Sequence, residues 1–375
     1  MYNELINTIA FSLCGFIKPI ELLEIYEKAV SESIVAETQN NFIEYIHKSA
    51  PKIFIEKFSY INNAIEVAKQ NIEYCYKHGI QIMRYGDEKY PYRLKECCDA
   101  PLVLYYKGNA DLNTKHAINI IGTRNCSSYG QDLVHSFVKE LKQICPNTII
   151  FSGLAYGIDV CAHREALKNN FNTIGILAHG LDMIYPRVHY GTAIKMIEQG
   201  GLLTEFPIKT QPRAKNFIQR NRIIAGCSDA TILVESANKG GGIITCNLAN
   251  SYSRDVFAFP GAVGQEYSEG CNKLIRQNAA ALITSAADFV KSMEWDDELK
   301  LKLAREKGIE MDLFPNLSED ERNIINTLKK TNDLQINMLS INTKIPIKNI
   351  SSLLFELEMK GIIRTMAGGI YHLIS

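Results

Sequence analysis

Five cationic side chains, Lys209, Arg213, Lys215, Arg220 and Arg222, lie between Glu205 and Asp229 with no acidic residue among them. Asn216, Gln219 and Asn221 interleave amides with them, and Phe217 adds an aromatic face. The 41 basic and 41 acidic residues of the 375-residue chain cancel, so such a run is a local positive face rather than part of a basic protein. Guanidinium and ammonium groups neutralise phosphate, amides complete its hydrogen bonds and an aromatic ring accepts a base, which suits single-stranded nucleic acid. Arg220 and Arg222 are separated by about 200° on a helix. The expectation is therefore that Asn216–Asn221 forms an irregular loop, with Arg220 reaching the ligand and Arg222 divided between phosphate and a carboxylate such as Glu205.

Three further loops carry small and polar residues at the ends of apolar runs. Gly122-Thr123-Arg124 is followed by Asn125, Ser127, Ser128 and Gly130. There a glycine permits close approach of the backbone, and Arg124 offers a fork for two phosphate oxygens. Ser152-Gly153 opens a second loop, in which Gly153 and Gly157 lack the G-x-G-x-x-G dinucleotide spacing. Gly240-Gly241-Gly242 precedes Thr245 and reads as a third anion-holding turn.

Groups poised for catalysis are scarce. Asp159 and His163 stand four apart on one expected helix, where a cap and a helix-face histidine are the plainer reading. The sequence contains no P-loop, H-E-x-x-H or G-x-S-x-G motif, and His179 and His189 lack metal-spaced partners. No catalytic residue, metal or cofactor is expected. The ten cysteines form no Cys-x-x-Cys pair and sit among apolar segments, so they read as reduced packing residues.

The elements that position these loops follow from periodicity. Residues 1–80 read as a helical domain, with Ile9, Leu13, Ile61, Ile65, Ala68 and Ile72 at three- and four-residue spacings. Residues 81–292 alternate short β-rich runs with helical ones, from Ala117–Ile121 to Leu282–Thr284, as in a doubly wound parallel sheet. Residues 293–316 read as a linker helix. Residues 317–375 give three helices and a two-stranded wing, a winged-helix-like order whose third helix is not basic, because Glu356 and Glu358 offset Lys348 and Lys360. The first thirteen residues lack a basic n-region, and no apolar run reaches the roughly 18 residues of a membrane span, so a soluble, cytoplasmic protein without membrane contact is expected.

The ordered motifs resemble the DNA-processing protein A (DprA/Smf) family. They are Ile121-Gly-Thr-Arg124, Ser152-Gly-Leu-Ala-Tyr-Gly-Ile-Asp159, His163-Arg164, Gly180-Leu-Asp-Met-Ile-Tyr-Pro186, Thr204-Glu-Phe-Pro207, the run from Asn216 to Ser228, Phe259-Pro-Gly261 and Gly270-Cys-Asn-Lys-Leu-Ile275. The resemblance covers about residues 85–290. It implies an extended Rossmann-like domain that binds single-stranded DNA, homodimerises and loads the RecA recombinase during natural transformation. It assigns phosphate and sugar contacts to Gly122, Thr123, Arg124, Ser152, Gly153 and the Arg220-Asn221-Arg222 run. With Lys215, Asn216, Phe217, Gly241, Gly242 and Thr245 these make up the expected DNA site. The chain departs from the family pattern at Ile218, where proline is usual, at Cys227, and in lacking a Gly-x-Gly hairpin in its N-terminal region. A phosphoribohydrolase on a related fold would carry P-G-G-x-G-T-x-x-E, but here Lys239, Ile243 and Asn247 stand at its Pro, Gly and catalytic Glu positions.

Overall fold

The computed structural model describes residues 2–14, 18–49, 59–295, 317–366 and 369–373. The chain divides into two compact units, residues 1–299 and 300–375. Of the linker helix expected over residues 293–316, residues 296–316 lie outside the described residues.

The first unit opens with helices α1 (Tyr2–Ser12), α2 (Pro19–Ser31), α3 (Gln39–Ser49) and α4 (Ser59–His78). Strand β1 (Gln81–Arg84), the short helix α5 (Tyr92–Lys95) and β2 (Val103–Gly108) follow. The parallel array then runs β3 (Ala117–Ile121), α6 (Ser128–Ile144), β4 (Ile149–Ser152), α7 (Ile158–Lys168), β5 (Thr173–Ile176), α8 (Tyr190–Glu198) and β6 (Gly200–Thr204). It continues as α9 (Ala214–Gly226), β7 (Ala230–Leu233), α10 (Gly241–Ser251), β8 (Asp255–Ala258), α11 (Glu269–Arg276), β9 (Ala281–Leu282) and α12 (Ala286–Ser292).

The nine strands form one sheet in the order β1-β2-β6-β5-β4-β3-β7-β8-β9. Strands β3 to β9 pair in parallel, whereas β1 and β2 add an antiparallel edge beyond β6. Every residue of β3, β4, β5 and β7 is buried, which is why these strands read as unbroken apolar runs rather than alternating ones. Apolar clusters cover both faces: Leu94, Phe151, Ile223 and Leu233 belong to one, and Val134, Phe137, Ile232 and Phe289 to the other. The N-terminal helices pack Ile9, Phe11, Tyr26 and Ala68 into a third cluster with Leu102, Val103 and Tyr105, so they share a core with β2. Strand β1 falls between the expected helical region and the Tyr- and Pro-rich segment that follows it, and no alternation long enough to mark it exists in four residues.

In the second unit, helices Glu319–Lys330, Ile336–Thr343 and Ile347–Met359 precede strands Ile363–Met366 and Ile370–Leu373. Ser318 accepts a hydrogen bond from the Glu321 backbone while the Glu321 carboxylate accepts one from the Ser318 amide, a reciprocal cap. A third strand, Leu334–Gln335, pairs with Ile370–Leu373. Ile324, Leu328, Leu339, Ile350, Leu354 and Leu357 close a core of its own. No described helix is long and apolar enough to cross a membrane.

Candidate nucleic-acid interface

Strand order reverses at β3: β4 pairs on one side, as the next strand in sequence, and β7 on the other. The loops leaving the carboxyl ends of β3 and β7 therefore diverge and leave a crevice between them, the place where open α/β sheets hold ligands. A cleft of about 580 Å³ occupies this position. Gly122, Thr123 and Arg124 line it from β3, Ser236, Ala237 and Gly240 from β7, and Phe217, Arg220 and Asn221 from α9.

Close backbone contacts set the β3 loop. A Cβ on Gly122 would stand 2.6 Å from the Ile158 side chain and 2.8 Å from the Glu235 carbonyl, so only glycine lets the three segments meet. The Thr123 amide donates to the Glu235 carbonyl at 2.7 Å, and the Ile158 amide donates to the Thr123 carbonyl at 3.2 Å. The buried Glu235 carboxylate accepts from the Ser127 amide at 2.9 Å and from the Ser127 hydroxyl, while that hydroxyl caps α6 through the Gly130 amide. Arg124 remains exposed at the end of this scaffold.

Helix ends supply the rest of the wall. Asp159 of α7, Ala214 of α9, and Gly241 and Gly242 of α10 all lie in the first turn of their helices and line the cleft. None of these three helices has a side-chain cap on its N-terminal amides. The positive ends of three helix dipoles thus converge where an anion would sit. Thr245, one turn further along α10, returns its hydroxyl to the Gly241 carbonyl.

The aromatic ring expected at Phe217 is present, with two cations near it. The Arg124 guanidinium lies 5.3 Å and that of Arg220 5.9 Å from its centroid. Tyr185 completes the cluster, with ring centroids 5.9 Å apart, and lines the same cleft. Nothing in the loop composition around Tyr185 marked it for this role. Its place depends on His179, which accepts from the Tyr185 amide at 3.2 Å. Burial holds the His179 imidazolium below its usual range.

Arg220 is not a solvent-facing arm. It is 3% exposed and donates to the Gly153 carbonyl at 2.7 Å and to the Ile176 carbonyl. Burial pushes its pKa down to about 10, against the attraction of Asp159 and with the repulsion of Arg124. Arg220 is thus a fixed cation at the cleft floor.

The structure corrects the expected shape of the 209–222 run. Asn216–Asn221 is not an irregular loop, because α9 begins at Ala214 and continues unbroken to Gly226. Helical periodicity then scatters the basic residues. Arg220 alone of the five lines the cleft, whereas Lys215 and Arg222 line a separate pocket beside Glu205. Arg222 is buried and donates to the Glu205 carboxylate and the Asp99 carbonyl, so it is spent on structure and not brought to the cleft. Asn216 donates to the Ala178 and Gln211 carbonyls. Ser152 is fully buried with its hydroxyl on the Ile120 carbonyl, and Gly153 is buried beneath Arg220.

Acid–base groups are engaged elsewhere. The buried Asp159 accepts from the Gly153 amide at 3.1 Å. Its pKa is raised by burial and drawn back by Arg220. His163 is fully buried, faces the Thr173 hydroxyl at 2.7 Å, and burial lowers its pKa to about 3. Among the described residues no cluster of His, Cys, Asp or Glu could hold a metal ion. All ten cysteines are free thiols, seven of them buried.

Residues 81–294 match the family described as DNA recombination-mediator protein A. The DNA processing protein DprA of Streptococcus pneumoniae is 36% identical over 245 residues, covering 65% of this chain and 83% of that protein. DprA of Bacillus subtilis is 39% identical over 218 residues, 58% of this chain and 72% of that one. The crystal structure of the S. pneumoniae protein superposes with a TM-score of 0.65 at 29% identity, over 78% of this chain and 98% of that chain. A structure of DNA processing protein A from Helicobacter pylori, described for its single-stranded DNA binding mode, gives a TM-score of 0.52 at 27% identity over 58% of this chain and 96% of that one.

Proposed function

This chain belongs to the DNA recombination-mediator protein A family, and we propose that it binds single-stranded DNA in the cleft between β3 and β7. The observation that carries the reading is the convergence of Arg124, Arg220 and three helix N-termini around the half-buried Phe217 and the exposed Tyr185 at the switch point of the sheet. Cations and amide dipoles take up the negative backbone, and the rings offer a base a stacking face without reading its edges. A flexible single strand can follow such a cleft, whereas duplex recognition wants an element that enters a groove. Of the fourteen residues expected at the site, Gly122, Thr123, Arg124, Phe217, Arg220, Asn221, Gly241, Gly242 and Thr245 line the cleft and take the direct contacts in this reading.

The wider role in this reading, which family membership supports, is that of a cytoplasmic homodimer that helps load the RecA recombinase onto the bound strand and catalyses no reaction of its own. The engagement of Asp159 and His163 in internal hydrogen bonds supports a non-catalytic site.

Anisotropy of a labelled oligonucleotide, single- and double-stranded, at two salt concentrations tests the reading. Tighter binding of the single strand is expected, with log affinity falling by about 0.7 per neutralised phosphate for each decade of salt. Equal affinity for duplex, or no binding of either form, refutes it.

A further inference from the structure

Helices α7 and α8 enclose a second opening, about 920 Å³ in volume, that the cleft does not include. Three exposed cations line it: Arg164 and Lys168 of α7 and Lys195 of α8. Glu198 is the one carboxylate among its lining residues. Glu165 also lies on α7, but it takes up His135 at 2.8 Å, with Lys168 at 3.8 Å. On a chain whose charges cancel, this is a groove with a local positive excess.

Two elements join it to the cleft. Asp159, in the first turn of α7, lines the cleft, and Arg164 and Lys168 follow five and nine residues along the same helix. At the helical rise these positions lie about 7.5 and 13.5 Å from Asp159 along the axis, and about 140° and 180° around it, so they stand on the solvent side of α7 while Asp159 is buried. Tyr185 lines the cleft and Val188 lines the groove, three residues later, so the 185–188 segment bridges at most about 11 Å. Exposed rings accompany this segment. Tyr185 is 46% and Tyr156 49% exposed, and Tyr156 is propped edge-on against the buried His189 with centroids 5.1 Å apart.

Resting on the reading of the cleft as a single-strand site, we propose that the α7–α8 groove is the track along which the bound strand continues. Arg164, Lys168 and Lys195 hold its backbone, and Tyr156 stacks a base at the junction. The groove has the combination that sequence-tolerant strand binding requires, a cationic channel with aromatic platforms beside it. Its occupant is the same chain of phosphates that enters at Arg124. Cleft and groove act as consecutive segments, so the groove contributes only when the strand is long enough to leave the cleft.

Length dependence tests this. Oligothymidylates of about 6 and about 16 nucleotides are titrated against the wild-type protein and the Arg164→Ala/Lys168→Ala/Lys195→Ala variant. All three side chains are exposed, so the melting temperature should hold. The short strand should bind both proteins within about twofold, whereas the long strand should lose about tenfold in the variant and show a salt slope shallower by about 2, three phosphates' worth. Wild-type affinity and slope for the long strand would overturn the track and leave the groove to an acidic protein partner. Equal losses at both lengths would overturn it as well, since the three cations would then be serving the cleft. Failure of the wild-type protein to bind at any length would overturn the cleft reading along with it.

Discussion

Gly153 and Arg220 occupy one another's only space. The guanidinium donates to the Gly153 carbonyl at 2.7 Å, and a Cβ on Gly153 would stand 2.4 Å from the same Nη1. The glycine is thus needed for a side-chain reason: the floor of the cleft is a buried arginine laid across a backbone that has no side chain to push it away.

Gly153→Ala should therefore displace Arg220 and act like a lesion of the arginine itself. A loss of about 1–3 kcal/mol in stability is expected, together with weaker oligonucleotide binding. Thermal melting and anisotropy read the two effects, and an unchanged melting temperature would show that the guanidinium yields without cost.

Arg220→Ala should also lower both stability and affinity. Its removal leaves two buried carbonyls without their donor and the buried Asp159 without a nearby positive charge, at about 1–3 kcal/mol for each buried group left unsatisfied. Chemical denaturation curves of the two proteins measure it. A variant as stable as the wild type would mean that solvent replaces the guanidinium.

Arg124→Ala should separate the two quantities. Its side chain is exposed and the loop beneath it is held by Glu235, so melting should barely change. Loss of one charge-assisted phosphate contact, about 1.5–3 kcal/mol, predicts roughly ten- to a hundredfold weaker binding. Unaltered affinity would place the strand away from this loop.

Arg222→Ala should do the reverse. The Glu205 carboxylate would be left buried without its partner, at about 3–5 kcal/mol. The fraction that remains folded at low temperature should bind oligonucleotide as the wild type does. A loss of affinity with stability intact would return this residue to the site.

His163 makes stability depend on pH. Its proton is bound below about 3 in the folded protein but below about 6.5 once exposed, so between those values the unfolded chain holds one more proton. Stability from this residue is complete above pH 6.5 and falls as pH drops, by about 2 kcal/mol between pH 7.5 and 5. Urea titrations of wild type and His163→Gln at both values isolate it, the variant showing the shallower dependence. Parallel pH dependences would mean that the imidazole is solvated in the folded protein.

The sequence made the parallel array readable, because strands buried on both faces are written as short β-branched runs between glycine-rich turns. The loops at Gly122–Arg124 and Gly240–Gly242 stood out by composition, and the fold brings both to the cleft. What misled was the cluster at 209–222. Proximity in sequence gathers charges that a helix then distributes around its axis, and burial decided the rest. Arg222 found Glu205, Lys215 turned to another pocket, and only Arg220 kept the cleft. Glu235 carried no local signal, and Tyr185 stood in a recognised motif without a role, since each matters through a partner remote in sequence, Ser127 for one and Phe217 for the other.

The core shared by the N-terminal helices and β2 bears on how the protein can be divided. A fragment cut at residue 81, where the family match begins, would keep every residue that lines the cleft. It would also strip the cover from Leu102, Val103 and Tyr105, each now at most 2% exposed. Such an uncovered strip beside a sheet edge invites self-association. The shortest stretch that should stay dispersed in solution while keeping the cleft is therefore longer than the stretch that defines the family.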